Sequence, residues 1–283
     1  MTVTPLRYGL HEADGTIGPR LLACDPPGGA RVVEVFGDAA TADHIAVVVP
    51  GNGHHLGNYF TSQEAQSPRS RGQLLLRTMR DLAPETRSAV VVWVGYHAPP
   101  EWYNAITNDA AYAGASDLAA LTHYLPRDAH ITLIGHSYGS TVAGLALASA
   151  RAEDCVALGS PGMGVVHRTE LGTGTRLWAG YGETDRIRLI PQVRLGRLGL
   201  GRNPLHPELG ATSFGTGGIP GHCGYYTEGS QSLLNVARIA LGRYDEVTPA
   251  GVTANRVPAR AARAARAAQP VRTLPVKEVE TAA

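Results

Sequence analysis

Ser137 lies in Gly135-His136-Ser137-Tyr138-Gly139. This is a G-x-S-x-G pattern, in which a tight turn between a strand and a helix offers a serine hydroxyl as a nucleophile. With 34 glycines in 283 residues, the pattern is expected by chance roughly 0.3 times on composition. Its context therefore carries the argument. Residues 130–134 (HITLI) read as a short strand, and residues 141–148 (TVAGLALA) read as a helix of small and apolar residues. Strand, turn and helix are the setting an elbow requires, and small residues at Gly135 and Gly139 let strand and helix approach closely. Ser140 adds a hydroxyl in the first helical turn and reads as structural.

A serine hydroxyl is a poor nucleophile without a base, and the base needs an acid to fix its tautomer. In folds built on this elbow the chain order is serine, acid, histidine. The acid should follow a strand beyond the elbow. Residues 176–180 (RLWAG) form such a strand, and Asp185 in the loop after it is the expected acid, with Glu183 as the alternative. Asp154 precedes its strand and falls at the wrong edge of a sheet. After Asp185 the chain holds His206 and His222. His222 sits in a Gly-rich turn just before the last helix and is the expected base, whereas His206 is flanked by a proline turn. The oxyanion needs two backbone N–H donors. Tyr138 is one, and Asn52 or Gly53, in the loop Pro50-Gly51-Asn52-Gly53-His54-His55, is the other. His54, Tyr96, His97, Trp102 and Tyr103 follow strand ends and are expected to line a substrate pocket, with aromatics favouring an apolar acyl or aryl group.

The elements that must position these groups alternate. Residues 31–36, 44–49, 89–94, 130–134, 154–158 and 176–180 read as strands. Residues 73–82, 110–125, 141–148 and 233–241 read as helices. Strands alternating with helices predict a mostly parallel sheet covered on both faces, with ligands at the carboxyl ends of its strands. Residues 1–30 read as an irregular N-terminal lead, 31–253 as the catalytic domain, and 254–283 as a basic Ala/Arg tail. The tail sets Arg256, Arg260, Arg263, Arg266, Arg272 and Lys277 against Glu278 and Glu280. Without aromatics it reads as a solvated, disordered end rather than a nucleic-acid contact.

Composition is globular, with 43% hydrophobic and 17% charged residues. Cys24, Cys155 and Cys223 are too few and too widely spaced for a disulfide framework or a zinc pair. Cys155 reads as a buried small hydrophobe. The first fifteen residues lack a basic start followed by an apolar run, and the longest aliphatic run, residues 45–49, is too short to span a membrane. A cytoplasmic protein is the expectation.

Across residues 30–245 the chain resembles an α/β-hydrolase. It is similar in particular to an actinobacterial serine-hydrolase family catalogued as a domain of unknown function. Val49-Pro50-Gly51, residues 134–140 (IGHSYGS), residues 158–164 (LGSPGMG) and Gly221-His222 carry the resemblance. It implies the α/β-hydrolase fold, a doubly wound sheet with no large lid, and the roles of nucleophile for Ser137, acid for Asp185 and base for His222. It implies no substrate; an ester or thioester is expected because nothing in the sequence suggests a peptide-binding subsite, and no cofactor is expected. One departure stands out. The general fold places a strand between acid and histidine, and residues 186–221 show none in the sequence, which suggests a reduced sheet of compact, cutinase-like type.

Other readings fare worse. Gly51 to Gly57 has the spacing G-x-G-x-x-x-G and no acid after the next strand, so a dinucleotide site is not supported. His54, His55 and His97 lack metal-ligand spacing. Ser213, in the second A-x-S-x-G match, has no strand before it and reads as loop structure. An acyltransferase on the same triad, and a non-catalytic binding module on the same fold, are the alternatives to hydrolysis. Oligomeric state has no signal in the sequence.

Overall fold

Short β-branched runs become strands, and burial on both faces removes any need for polar alternation. The computed structural model describes residues 4–9, 20–26, 29–60, 66–100, 108–172, 174–190, 194 and 198–252. Trp102, Tyr103 and the tail at 254–283 lie outside the described residues. The strands are β1 (Arg20–Cys24), β2 (Val32–Phe36), β3 (His44–Val49), β4 (Ser88–Val94), β5 (His130–His136), β6 (Asp154–Leu158), β7 (Arg176–Gly180) and β8 (Thr212–Ser213). The helices are α1 (Leu56–Tyr59), α2 (Pro68–Leu82), α3 (Asp109–Tyr124), α4 (Tyr138–Ala146) and α5 (Gln231–Ala240).

The sheet order is β1-β2-β4-β3-β5-β6-β7-β8. β2 runs antiparallel to both β1 and β4, and all other pairs are parallel. Side chains alternate across each strand and so build two cores. Ile45, Val47 and Val49 of β3 join Leu118 and Leu121 of α3 and Val142 of α4 on one face. Ala46 and Val48 join Leu75, Leu76 and Met79 of α2 and Val236 and Ile239 of α5 on the other. Ser67 caps α2 by accepting from the Ser70 amide, with Pro68 preset for the first turn, and Ser230 caps α5 in the same way.

Two strands differ from expectation. β1 lies inside the stretch read as an irregular lead. It pairs with β2 through a bulge between Leu21 and Ala23, so β2 is the second strand of the sheet. β8 lies between the acid and the histidine, pairs parallel with Trp178 and Ala179 of β7, and makes the sheet eight-stranded rather than reduced. Ser213 belongs to it. Both strands form because a neighbour presents an unpaired edge, and neither run has enough alternation to show in the sequence. Among the described residues, only short 3-10 turns are helical between β6 and α5, so no helical lid is inserted there.

β5 and α4 meet at the elbow with no room to spare. A Cβ on Gly135 would stand 2.4 Å from the Ser140 Cα, and one on Gly139 would stand 2.2 Å from the Val49 carbonyl oxygen. Backbone atoms cannot move aside as a flexible side chain can. Gly139→Ala is therefore expected to cost about 3 kcal/mol by overpacking. Gly218→Ala, where a Cβ meets nothing within 4 Å, should leave the urea midpoint almost unchanged. Equal midpoints for the two variants would refute the packing argument.

Candidate active site

The carboxyl ends of β3, β5 and β7 supply the site. Ser137 follows β5 at φ 53°, ψ −131°, and it is the one non-glycine described residue with positive φ. Such an angle costs of order 1–3 kcal/mol and persists only where neighbours over-determine it. Here the Ser137 amide donates to the Leu158 carbonyl at 2.9 Å, and the Ser137 carbonyl accepts from the Ser140 amide at 2.9 Å and hydroxyl at 2.6 Å. The Ser140 hydroxyl also lies 2.7 Å from that of Ser160, in the loop after β6. Its structural reading is supported.

Ser137 Oγ lies 2.8 Å from His222 Nε2. His222 Nδ1 lies 2.9 and 3.0 Å from the two carboxylate oxygens of Asp185. Asp185 is 4% exposed and also accepts from the Tyr225 hydroxyl at 2.6 Å and the Ile187 amide at 3.0 Å. Burial by itself would raise its carboxyl. The hydrogen bonds from His222, Tyr225 and Ile187 outweigh burial and hold it down at about 2. An ionised Asp185 keeps the His222 proton on Nδ1 and leaves Nε2 to accept from Ser137. Glu183, two residues earlier, is exposed. His206 caps its own turn by accepting from the Glu208 amide, and Asp154 opens β6 at the far edge of the sheet.

The loop expected to supply the second oxyanion donor follows β3. The Gly53 amide donates to the Pro99 carbonyl at 3.1 Å. Gly53 is thereby corrected as a candidate donor, because its N–H is already bonded within the protein. Asn52 remains: no hydrogen bond of its amide is found among the described residues, and its buried Oδ1 has no partner. Tyr138 opens α4, directly after Ser137. The loop is braced from outside, with Tyr96 donating to the Pro50 carbonyl at 2.9 Å and Asn58 to the Gly53 carbonyl at 2.8 Å. Tyr96 is 2% exposed and stacks between Trp93 and Tyr138. It is corrected from a pocket-lining residue to a brace, because its hydroxyl is bonded to Pro50 and its ring is buried inside the core. His97 is exposed. His54 is half-buried beside Arg71 and His55, and burial with those neighbours lowers its imidazole to about 4, so it is neutral near pH 7.

Two residues at the site carried no signal in the sequence. Tyr225 donates to Asp185 and accepts from the Gly182 amide at 3.0 Å. His136 is buried and lies 2.7 Å through Nε2 from the His222 carbonyl oxygen. Among the described residues, no group of three or more His, Cys, Asp or Glu side chains stands close enough to hold a metal ion, and no helix is long and apolar enough to cross a membrane.

A family model described as alpha/beta hydrolase matches residues 25–195. The chain belongs to the α/β-hydrolase family. Uncharacterised protein Rv2079 of Mycobacterium tuberculosis H37Rv is 30% identical over 272 residues, covering 83% of this chain and 41% of that protein. Uncharacterised protein Rv0963c of the same strain is 39% identical over 92 residues, covering 30% of this chain and 34% of that protein. The chain thus spans about two fifths of the length of this curated relative. Among solved structures, one titled as an arylesterase shares the fold at a TM-score of 0.50 and 12% identity, over 83% of this chain and 87% of that one.

Two measurements test the electrostatics of this α/β-hydrolase site. Tyr225→Phe removes a hydrogen bond to a charged carboxylate and should cost about 2 kcal/mol in urea unfolding; no change would mean the bond is not formed. The Asp185 carboxyl is lower in the folded state than its ordinary 3.8. Its stabilising contribution is therefore complete above about pH 4 and is lost as pH falls towards 2. Between those values the urea midpoint of wild type should fall more steeply than that of Asp185→Asn, and parallel curves would contradict the shift.

Proposed function

We propose that this protein is a serine hydrolase that cleaves a carboxylic ester or thioester through an acyl-enzyme. The observation that carries the reading is the continuous chain of contacts from Asp185 through His222 to Ser137 Oγ, each 3.0 Å or shorter. His222 Nε2 takes the hydroxyl proton as Ser137 Oγ attacks the carbonyl carbon. The negative charge that develops on the carbonyl oxygen is met by the Tyr138 and Asn52 amides. As the tetrahedral intermediate collapses, the bond to the leaving oxygen or sulfur breaks, and His222 returns its proton to that atom. A water molecule, deprotonated by His222, then attacks the acyl carbon and releases the acid and Ser137. Asp185 stays ionised throughout and stabilises the imidazolium. His54, a neutral imidazole near the oxyanion loop, is a candidate substrate contact, as is exposed His97.

Membership of the α/β-hydrolase family and an acyl-transfer arrangement of Ser137, His222 and Asp185 support an ester or thioester as substrate. Wild type is expected to label stoichiometrically with a fluorophosphonate probe and to hydrolyse short p-nitrophenyl esters. Ser137→Ala should abolish labelling and lower kcat/KM by at least about 1,000-fold, the scale seen when a nucleophile is removed. A folded wild type that neither labels nor turns over would overturn the proposal.

A further inference from the structure

His136 stands between the first glycine of the elbow and the nucleophile, and nothing in the reaction above uses it. Its environment is nonetheless built with care for one tautomer. The Arg71 guanidinium, on α2 and 2% exposed, lies 3.2 Å through NH1 from His136 Nδ1. A guanidinium only donates hydrogen bonds, so Nδ1 must accept, and the single ring proton of the neutral imidazole must sit on Nε2. That Nε2–H points at the His222 carbonyl oxygen, 2.7 Å away. Burial, then the Arg71 cation and His222, hold His136 well below the ordinary imidazole range, in keeping with one proton rather than two. Arg71 is itself seated over the Tyr226 ring at 5.5 Å.

The same side chain touches the base a second time. The His136 and His222 rings lie 4.8 Å apart at 36°, and the Tyr225 ring closes the other contact of His136 at 5.6 Å. The turn that carries His222 needs such a hold. It contains Gly221 at φ 52° and exposed Cys223, and its backbone is otherwise tied to the acid loop by the Gly221 amide on the Thr184 hydroxyl at 3.2 Å. Thr184 sets the turn against the Asp185 loop, and His136 sets it against the elbow. The His222 ring must bridge the two with contacts of about 3 Å on each side.

We propose that His136 is a positioning residue for the catalytic base: it grips the His222 main chain and ring, with its proton directed to Nε2 by Arg71, and so sets the distance from His222 to Ser137. The assignment rests on the triad reading above. Geometry of this kind matters because a misplacement of about 1 Å can cost on the order of 100-fold in rate.

The test compares His136→Leu, which loses the donor, with His136→Gln, whose amide restores an N–H near Nε2. Circular dichroism and urea unfolding first establish which variants fold. In the folded leucine variant the fluorophosphonate inactivation rate and kcat should both fall by about 10- to 100-fold, with KM changed less than about 3-fold. The glutamine variant should recover most of the loss. A merely structural role would lower stability and leave the per-molecule rate of folded protein unchanged. A leucine variant that reacts at the wild-type rate therefore overturns the proposal. A measurement on wild type guards against variants that do not fold. In the 15N spectrum, His136 should show Nδ1 unprotonated and Nε2 protonated through the neutral pH range, and the opposite tautomer would refute the assignment. If wild type itself does not label, the triad reading falls and this one with it. If wild type labels and the leucine variant labels equally fast, only the role of His136 falls.

Discussion

The backbone at Ser137 is held where an L-residue does not rest by choice, and much of the molecule serves to keep it there. The turn is pinned from three directions: by the Leu158 carbonyl of the adjacent strand, by the Ser140 hydroxyl of its own helix, and by the absence of side chains at Gly135 and Gly139. Strand, helix and the end of β3 converge on this one point. The strain is local, and the stability that opposes it comes from the two apolar layers on either side of the sheet.

Charge placement follows from the same geometry. Among the described residues, two buried aspartates are paired with histidines, at opposite edges of the sheet. Asp154, at the amino edge, is bonded to His130 at 2.8 Å, the Trp178 indole at 2.8 Å and the Tyr244 hydroxyl at 2.7 Å. Those partners are all structural, and no nucleophile is among them. Asp185, at the carboxyl edge, is bonded to His222 and Tyr225, and His222 reaches a serine. The residue types are nearly the same in both clusters. What separates them is that parallel strands direct their carboxyl ends and the following loops to one edge, where an elbow can lift a hydroxyl towards a base.

A polar layer beneath the site links it to α2. Glu34, on β2 and 1% exposed, accepts from the Tyr59 hydroxyl at 2.8 Å and from the Arg69 guanidinium. It thereby joins the end of α1, just beyond the oxyanion loop, to the start of α2. Arg71, two residues further along α2, reaches His136. Buried charges are retained where each is met by a partner, and here the partners tie the loop after β3, the elbow and His222 to one helix.

The elbow, the strand–helix alternation and the order of serine, acid and histidine were legible in the chain, because each rests on local spacing or on a rule about chain order. Ser137, Asp185 and His222 could be named from those constraints. The rest depended on the fold. Whether the amide of Asn52 or Gly53 is available turned on the Pro99 carbonyl, nearly fifty residues away. Tyr96 looked like a pocket aromatic from its place after a strand, yet its hydroxyl is bonded and its ring buried inside the core. β1 and β8 exist because neighbouring strands leave edges to pair with, which no pattern within five or two residues records. His136 and Tyr225 are the strongest case. Their types were visible, but a hydrogen bond from His136 to His222 spans 86 residues and one from Tyr225 to Asp185 spans 40. Local sequence determined which residues are able to do chemistry. Tertiary contacts decided which of them are held at bonding distance, because hydrogen bonding depends on separation in space and sequence specifies only separation along the chain.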